Sequence, residues 1–327
     1  MWAMRELILR LAPVLRLTRV SGAFAAVGNV WFVVLWCHYQ REHETWSVAI
    51  QNEPLWLLLA GGALAAAALY AFSSTVNDVV DASRDRALRR SRPLVEGEAS
   101  GETAIFAAAG TLILSVLGAT VFGTAAVVAT LVLAGLILGY HAAGKFVPGV
   151  GLVLLAVVYG GHMLAPNLGL RFVLPVWLVM THALAVAWLA HRLGRKSPPL
   201  SGRAVTISIC GWVAASAVLG AIAMRRGGVL PEWVTPMALA FPGLLVLLYA
   251  GLVTRRVLQL GPGPRLGSKI ERYGALWLPI YACGWLWGVG DTTGTAIMGV
   301  VVVAGLLGMT VLRELYGLAE HPVGYRV

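Results

Sequence analysis

Four polar side chains recur at helical spacing in the first third of the chain: Asn77, Asp78, Asp81 and Asp85. On an α-helix they would share one face, within an arc of about 100°. Carboxylates gathered on one face repel one another unless a cation joins them. Hard oxygen ligands of this kind suit Mg²⁺, which commonly bridges one or two carboxylates to substrate phosphates. The spacing therefore predicts a site where Mg²⁺ joins these carboxylates to phosphate oxygens.

Arginines follow this acidic face closely. Arg84 lies at its edge, and Arg89, Arg90 and Arg92 come shortly after it. A planar guanidinium grips phosphate oxygens with two parallel hydrogen bonds. The alternative is an ordinary solvated edge where a membrane helix leaves the bilayer, because short motifs often match by chance. The single polar face, the Arg-Pro turn and the apolar helix on each side together favour a phosphate site.

The composition of the chain excludes a soluble domain. Of 327 residues, 58% are hydrophobic and 12% are charged, whereas soluble domains are typically less than half apolar and about one quarter charged. The sequence predicts an all-α transmembrane bundle that forms one domain over residues 1–327, since no linker or soluble segment exceeds about 30 residues. Each span needs about 20 apolar residues. Ten candidate spans lie at 20–38, 55–76, 104–122, 124–142, 149–166, 172–191, 204–224, 235–254, 273–290 and 295–312.

Basic residues are distributed unevenly between the predicted loops. With the N-terminus inside, ten spans place 21 of the 25 lysines and arginines on the cytoplasmic side of the cell membrane, as the positive-inside rule expects. Cytoplasmic loops are then predicted at 77–103, at 192–203 and, with irregular structure, at the Gly- and Pro-rich 255–272. An amphipathic helix is expected on the membrane surface over 1–19. The formal charge of +10 indicates this topology and an attraction to membrane lipid, and not a nucleic-acid partner.

Three of the polar side chains inside predicted spans are candidates for a site. Asn29 interrupts the first span, where an amide marks either a site or an interhelical hydrogen bond. Tyr159 and His162 are spaced i, i+3 in the fifth span, so both can line one cavity. Because histidine titrates near neutrality, His162 could be the base for an acceptor hydroxyl, or equally a hydrogen-bonded packing residue.

The pattern N-D-x-x-D-x-x-x-D followed by R-P-L-x-x-G-x-x-S resembles the first signature of the UbiA superfamily of intramembrane prenyltransferases. Its residues here are Asn77, Asp78, Asp81, Asp85, Arg92, Pro93, Leu94, Gly97 and Ser100. The resemblance implies that Asp78, Asp81 and Asp85 bind Mg²⁺ and the diphosphate of an isoprenyl donor, with Asn77, Arg84 and Arg92 beside them. Because that family usually has nine spans, nine or ten are expected.

Two further features are similar to those of the family. Tyr140 and Lys145, at the end of the fourth span, resemble a Tyr, Lys pair close to the donor diphosphate, although a lysine at a membrane end often only snorkels to the headgroups. Family members often carry Asn or Asp at the place of Asn29, facing the central cavity.

The chain departs from the family pattern at the end of the sixth span. Most members repeat an aspartate motif there, but this chain has no acid from Ala183 to Arg203. Arg192, Arg195 and Lys196 could neutralise the diphosphate in place of a second metal ion. Alternatively, the donor chemistry has been lost and the bundle binds or moves a lipid without cleaving it.

The resemblance implies that an allylic diphosphate ionises in an apolar cavity that shields the carbocation from water. Transfer of the prenyl group to an aromatic or other lipophilic acceptor is the expected reaction. The alternatives are cyclisation of the same cation, as in terpene cyclases of this fold, and a non-catalytic lipid-binding or transport protein. Nothing in the sequence specifies the chain length or the acceptor.

Overall fold

The computed structural model describes residues 14, 16–19, 22–45, 51–88 and 92–320, with side chains as far as Met309. All regular structure in these ranges is helical, so the all-α prediction is confirmed. Each long helix of this part overlaps one predicted span. The helices are α1 Phe24–Tyr39, α2 Leu55–Ala87, α3 Gly101–Thr120, α4 Thr124–Ala142, α5 Pro148–Leu164, α6 Leu174–Leu193, α7 Gly202–Arg225, α8 Pro236–Leu260, α9 Pro264–Gly288 and α10 Thr292–Glu320.

Most of these helices meet the requirements for crossing a membrane. Seven are long and apolar enough, namely α2, α3, α4, α6, α7, α8 and α10. The helices α1 and α5 are apolar but shorter, and the first half of α9 carries Lys269, Glu271 and Arg272. Large apolar side chains such as Phe106 and Leu258 are exposed on the outside. The chain is a multi-pass membrane protein, and the number of nine or ten spans stays a prediction.

Two segments predicted as loops are largely helical. Helix α2 continues past residue 76 to Ala87, so the acidic face at the start of 77–103 lies on the last turns of a 33-residue helix. The segment 255–272 is not irregular, because only residues 261–263 separate α8 from α9. Gly261 adopts a positive φ of 65° at the end of α8. Pro264 lies in the first turn of α9, where no backbone N–H is required.

The turns after α2 and α6 end in the same way. Ser100 accepts a hydrogen bond from the backbone of Thr103 and caps α3. Ser201 accepts one from the backbone of Ala204 and caps α7. A capping serine satisfies one of the free N–H groups of a helix start. In sequence, LGRKSPPL at 193–200 weakly echoes LRRSRPL at 88–94, and each segment precedes one of these serine-capped helices.

Successive helices run in opposite directions, so α2, α4, α6 and α8 end on one side of the bundle, which we call the aspartate end. At this end α6 and α9 approach closely: a Cβ added to Gly267 would lie 2.8 Å from Cα of Gly194. The backbone N–H of Gly263 also donates to the carbonyl oxygen of Leu193 at 2.8 Å. Small residues thus allow the turn after α6 to pack on the start of α9.

The opposite end is held together by a buried carboxylate. Glu44, between α1 and α2, accepts hydrogen bonds from Trp36 Nε1 at 2.9 Å and from the backbone N–H groups of Arg171 at 2.7 Å and Phe172 at 3.2 Å. The indole of Trp36 stacks on Phe172 with ring centroids 5.3 Å apart. Because three donors satisfy it, this acid can remain in an apolar cluster and join two connecting segments.

Candidate functional site

A cavity of about 390 Å³ opens between α1, α2, α4, α5 and α9. Most of its wall is apolar, with residues such as Leu69, Ile137 and Val158. The polar side chains that line it are Asn29, Tyr70, Ser73, Tyr140, His141, Tyr159, His162, Glu271 and Arg272. An apolar pocket with a few convergent polar groups is typical of a small-molecule or lipid site.

The acidic face of α2 stands at the mouth of this cavity. Ser73 lines the wall, and Asp78 lies five residues further towards the aspartate end, about 7.5 Å along the helix axis. Asn77, Asp78 and Asp81 are therefore placed where a ligand with an apolar chain in the cavity would present its head group.

Each aspartate of the acidic face forms an ion pair with a basic residue from another segment of the chain. The pairs are Asp78 with Arg19, Asp81 with Lys145 and Asp85 with Arg92. Lys145 Nζ lies 2.8 Å from Asp81 and 3.2 Å from the amide oxygen of Asn77. The mouth thus combines carboxylates with cations, the two kinds of group that a metal–phosphate complex requires.

Two carboxylate oxygens in this cluster are compatible with a metal ion. Oδ2 of Asp78 and Oδ1 of Asp81 are buried, and neither has a hydrogen-bond partner in the described part of the chain. The residues are three positions apart on α2 and therefore neighbours on its surface. Within the same described ranges, no three His, Cys, Asp or Glu side chains could hold a metal ion by themselves. The donor set fits Mg²⁺ only if substrate oxygens complete its coordination, which is common for this ion.

A second cavity of about 220 Å³ lies beside the first between α5, α6 and α9. Both cavities are bordered by Leu155, Tyr159, Glu271 and Ala275. Glu271 forms an ion pair with Lys196, and it lies within electrostatic range of the Tyr140 hydroxyl, as does Asp81. The region 183–203 contains no acid. The carboxylate of Glu271, on α9, nevertheless lies beside Lys196 of this region.

Comparison with known proteins shows where this architecture occurs. No family model and no curated protein sequence matches the chain. Among solved structures, a digeranylgeranylglyceryl phosphate synthase superposes with a TM-score of 0.55 at 17% identity, over 86% of this chain and 98% of that one. A UbiA homolog from Aeropyrum pernix K1 aligns over 89% of this chain and 96% of that one, at 17% identity with a TM-score of 0.41.

The chain has a UbiA-like fold. The resemblance drawn from the acidic signature is therefore confirmed at the level of the fold. At 17% identity the likeness is one of fold, and the chemistry depends on the residues of this chain.

The UbiA-like fold brings most of the predicted site residues together. Asn29, Tyr140, Tyr159 and His162 line the main cavity. Beside its mouth lie Asn77, Asp78, Asp81 and Lys145. Asp85, paired with Arg92, lies about one helical turn beyond Asp81. Residues from the first, second, fourth and fifth helices thus converge on one place, and their roles stay predictions.

Two predicted phosphate-binding arginines lie apart from this cluster. Arg84 is exposed and does not line the main cavity. Arg192 is also exposed, and its guanidinium lies 5.3 Å from the centroid of the Trp188 ring. Arg89 and Arg90 fall outside the described residues. Of the basic residues after α6, Lys196 has the clearest connection to the cavity, through Glu271.

Several residues of the site were not predicted as such: Arg19, Ser73, His141, Glu271 and Arg272. Ser73 was within reach of sequence reasoning, since it lies one helical turn before Asn77 and shares its side of α2. Arg19 and Glu271 carry no comparable signal. Their positions beside Asp78 and Lys196 depend on contacts between segments far apart in sequence.

Proposed function

We propose that this protein is a Mg²⁺-dependent prenyltransferase that moves an isoprenoid chain from its diphosphate to a lipophilic acceptor within the membrane. One observation carries the proposal: a cluster of paired acids and cations stands at the mouth of an apolar cavity. A charged head group and a long apolar chain are the two parts of an isoprenyl diphosphate, and the site offers a matching environment for each.

The diphosphate would bind at the acidic face. The unpaired carboxylate oxygens of Asp78 and Asp81 would hold Mg²⁺ there, and the ion would supply positive charge that stabilises the leaving diphosphate. Arg19 and Lys145 already lie against the same two carboxylates. When the donor is present, their charges can face its phosphate oxygens, since each cation has more than one N–H donor.

The cavity below would hold the chain and exclude water from the reacting carbon. Its apolar wall offers no oxygen or nitrogen atom to capture a carbocation over most of its surface. The rings of Tyr70 and Tyr159 line the same space, and aromatic faces attract a nearby positive charge. These residues therefore favour ionisation of an allylic donor followed by capture by the acceptor.

We further propose that the aspartate end faces the cytoplasm. In the described part of the chain, this end carries most of the basic residues, including Arg16, Arg203 and Lys269, as the positive-inside rule expects of a cytoplasmic face. At the opposite end, Arg171 and Arg226 donate hydrogen bonds to backbone carbonyl oxygens of other segments. Those two arginines therefore have a structural role there.

A second candidate function is lipid binding without cleavage. The pairing of all three aspartates with cations favours it, because such pairs also stabilise a fold without any substrate. The two readings differ in whether the donor is consumed. A non-catalytic protein would bind a prenyl diphosphate and release it unchanged.

The deciding experiment uses the purified full-length protein in lipid nanodiscs with Mg²⁺ and prenyl diphosphates of several chain lengths. Released diphosphate is quantified, and lipid products are identified by mass spectrometry after addition of a membrane lipid extract as the source of acceptors. We expect Mg²⁺-dependent diphosphate release and a prenylated product. Binding of the donors without any release would replace the enzyme proposal with the lipid-binding one, and a cyclic hydrocarbon product would indicate a cyclase.

A further inference from the structure

Ser73 on α2 and His141 on α4 form a hydrogen-bonded pair in the wall of the main cavity. Ser73 Oγ lies 3.1 Å from His141 Nε2, and both residues line the cavity. His141 is only 7% exposed, and its second ring nitrogen, Nδ1, is buried with no hydrogen-bond partner among the described residues. An incompletely satisfied histidine at this depth is costly, which makes it a candidate for function.

The pair lies where the reacting atoms of a donor would be. Ser73 is one helical turn from Asn77 towards the cavity, and His141 is four residues before Lys145, the partner of Asp81. If the diphosphate binds at the acidic face, the first carbon of the prenyl chain must lie just inside the mouth. An acceptor atom that attacks this carbon therefore comes close to Ser73 and His141.

The other histidine of the cavity wall lies much deeper. His162 is 14 residues beyond Pro148, the first residue of α5, which corresponds to roughly 21 Å from the aspartate end. It also borders a separate small void together with Phe122 and Ala126. His162 is thus well placed to contact the far part of a chain, and poorly placed to act on an atom near the diphosphate.

Building on the proposed function, we infer that Ser73 and His141 relay a proton from a hydroxyl-bearing acceptor, so that the product is a prenyl ether. The acceptor oxygen bonds to the first carbon of the donor while the bond from that carbon to the diphosphate breaks, and the diphosphate leaves with the electron pair. The acceptor proton passes to Ser73 Oγ, and the proton of Ser73 passes to His141 Nε2. Proton transfer by a positioned side chain typically contributes 10²–10⁴-fold to a rate.

The test separates donor cleavage from transfer. Full-length protein in nanodiscs receives a prenyl diphosphate, Mg²⁺ and either a panel of long-chain alcohols and phenols or their methyl ethers. Diphosphate release without an added acceptor reports donor cleavage, and mass spectrometry of ether products reports transfer. The His141→Gln and Ser73→Ala variants are compared with His38→Gln at the opposite end of α1 and Ser208→Ala on α7, which serve as matched controls.

We expect wild-type protein to form ethers from hydroxyl acceptors and nothing from their methyl ethers. His141→Gln should lower ether formation about 100-fold or more relative to diphosphate release, while both controls keep both rates within about twofold of the wild type. Ether formation by His141→Gln and Ser73→Ala close to that of the wild type would overturn the relay, as would carbon-prenylated products from the methyl ethers.

If one of the two variants does not fold, the other variant still tests the relay. The acceptor panel also tests it, because the requirement for a hydroxyl group is measured on the wild-type protein. A wild type that releases no diphosphate from any donor would overturn the proposed function, and this inference with it. Normal release with no ether product would overturn the inference alone.

Discussion

Lys145 Nζ lies 2.8 Å from Asp81 Oδ2, and both side chains are only 13% exposed. This ion pair joins the segment after α4 to the last turns of α2, beside the mouth of the cavity. Removing one partner of a nearly buried pair leaves an uncompensated charge, which typically costs about 3–5 kcal/mol. The pair therefore makes the stability of this protein sensitive to any other cation that reaches Asp81.

We expect Lys145→Met to lower the free energy of unfolding by about 3 kcal/mol when Mg²⁺ is absent, and Mg²⁺ to restore part of this loss because it can replace the missing charge. Thermal unfolding in detergent, with and without Mg²⁺, measures both effects. Lys269→Met, at a half-buried position on α9, is the control. An identical loss with and without Mg²⁺ would show that no divalent cation reaches Asp81.

Asp78→Asn and Asp81→Asn should each lower diphosphate release at least about 100-fold, or about 2.7 kcal/mol, because each removes a charged ligand of the ion that stabilises the leaving group. Glu53→Gln, exposed at the opposite end, should leave release unchanged. Release assays on protein shown to be folded make the comparison. Activity within a few fold of the wild type would exclude both aspartates as metal ligands.

The basic residues after α6 should differ in importance. Lys196→Gln is expected to weaken donor affinity by about 1.5 kcal/mol, since this lysine is held beside the cavity by Glu271. Arg192→Gln should cost less than half as much, because Arg192 lies over Trp188. Binding titrations with a non-hydrolysable donor analogue give both values. The opposite ranking would mean that Arg192 turns towards the mouth when the donor binds.

Lys196→Gln should have little effect on the thermal stability of the protein. The side chains of Lys196 and Glu271 are 45% and 48% exposed, and exposed ion pairs contribute at most about 1 kcal/mol. A larger loss of thermal stability in Lys196→Gln would indicate that the pair is a structural contact, so that reduced binding could not be assigned to the charge itself.

Glu44→Gln should destabilise the fold and leave the candidate site at the aspartate end unchanged. The carboxylate accepts from Trp36, Arg171 and Phe172, and an amide cannot accept with its nitrogen atom, so at least one buried donor loses its partner at a cost of about 1–3 kcal/mol. Thermal unfolding measures the loss, with Glu42→Gln, exposed on the same segment, as the control. Donor affinity of the folded fraction should not change.

Thiol labelling can establish which end of the bundle faces the cytoplasm. Single cysteines at exposed positions are introduced at the aspartate end, as Glu102→Cys or Arg203→Cys, and at the opposite end, as Arg41→Cys or Glu232→Cys. In intact cells a membrane-impermeant reagent should label only the second pair, because the basic end is retained in the cytoplasm. Labelling of the first pair alone would invert the topology, and a mixed pattern within a pair would change the number of spans.

Much of the architecture follows from the amino-acid sequence by itself. Long apolar runs can only be satisfied as helices in a membrane, so the all-α bundle and the ten helical segments could be predicted from composition and length. The helical spacing of Asn77, Asp78, Asp81 and Asp85 placed four polar groups on one face. Periodicity is a local property, and local properties can be read from neighbouring residues.

Only the tertiary structure decided what these side chains face. Arg19 meets Asp78, and Lys145 meets Asp81, across gaps in sequence that no periodicity spans. Glu271 from α9 lies beside Lys196, in a region after α6 that has no acid of its own, whereas Arg84 is exposed and does not line the cavity. Helix packing sets such contacts, and packing depends on small residues such as Gly194 and Gly267, whose close approach appears only when both helices are placed.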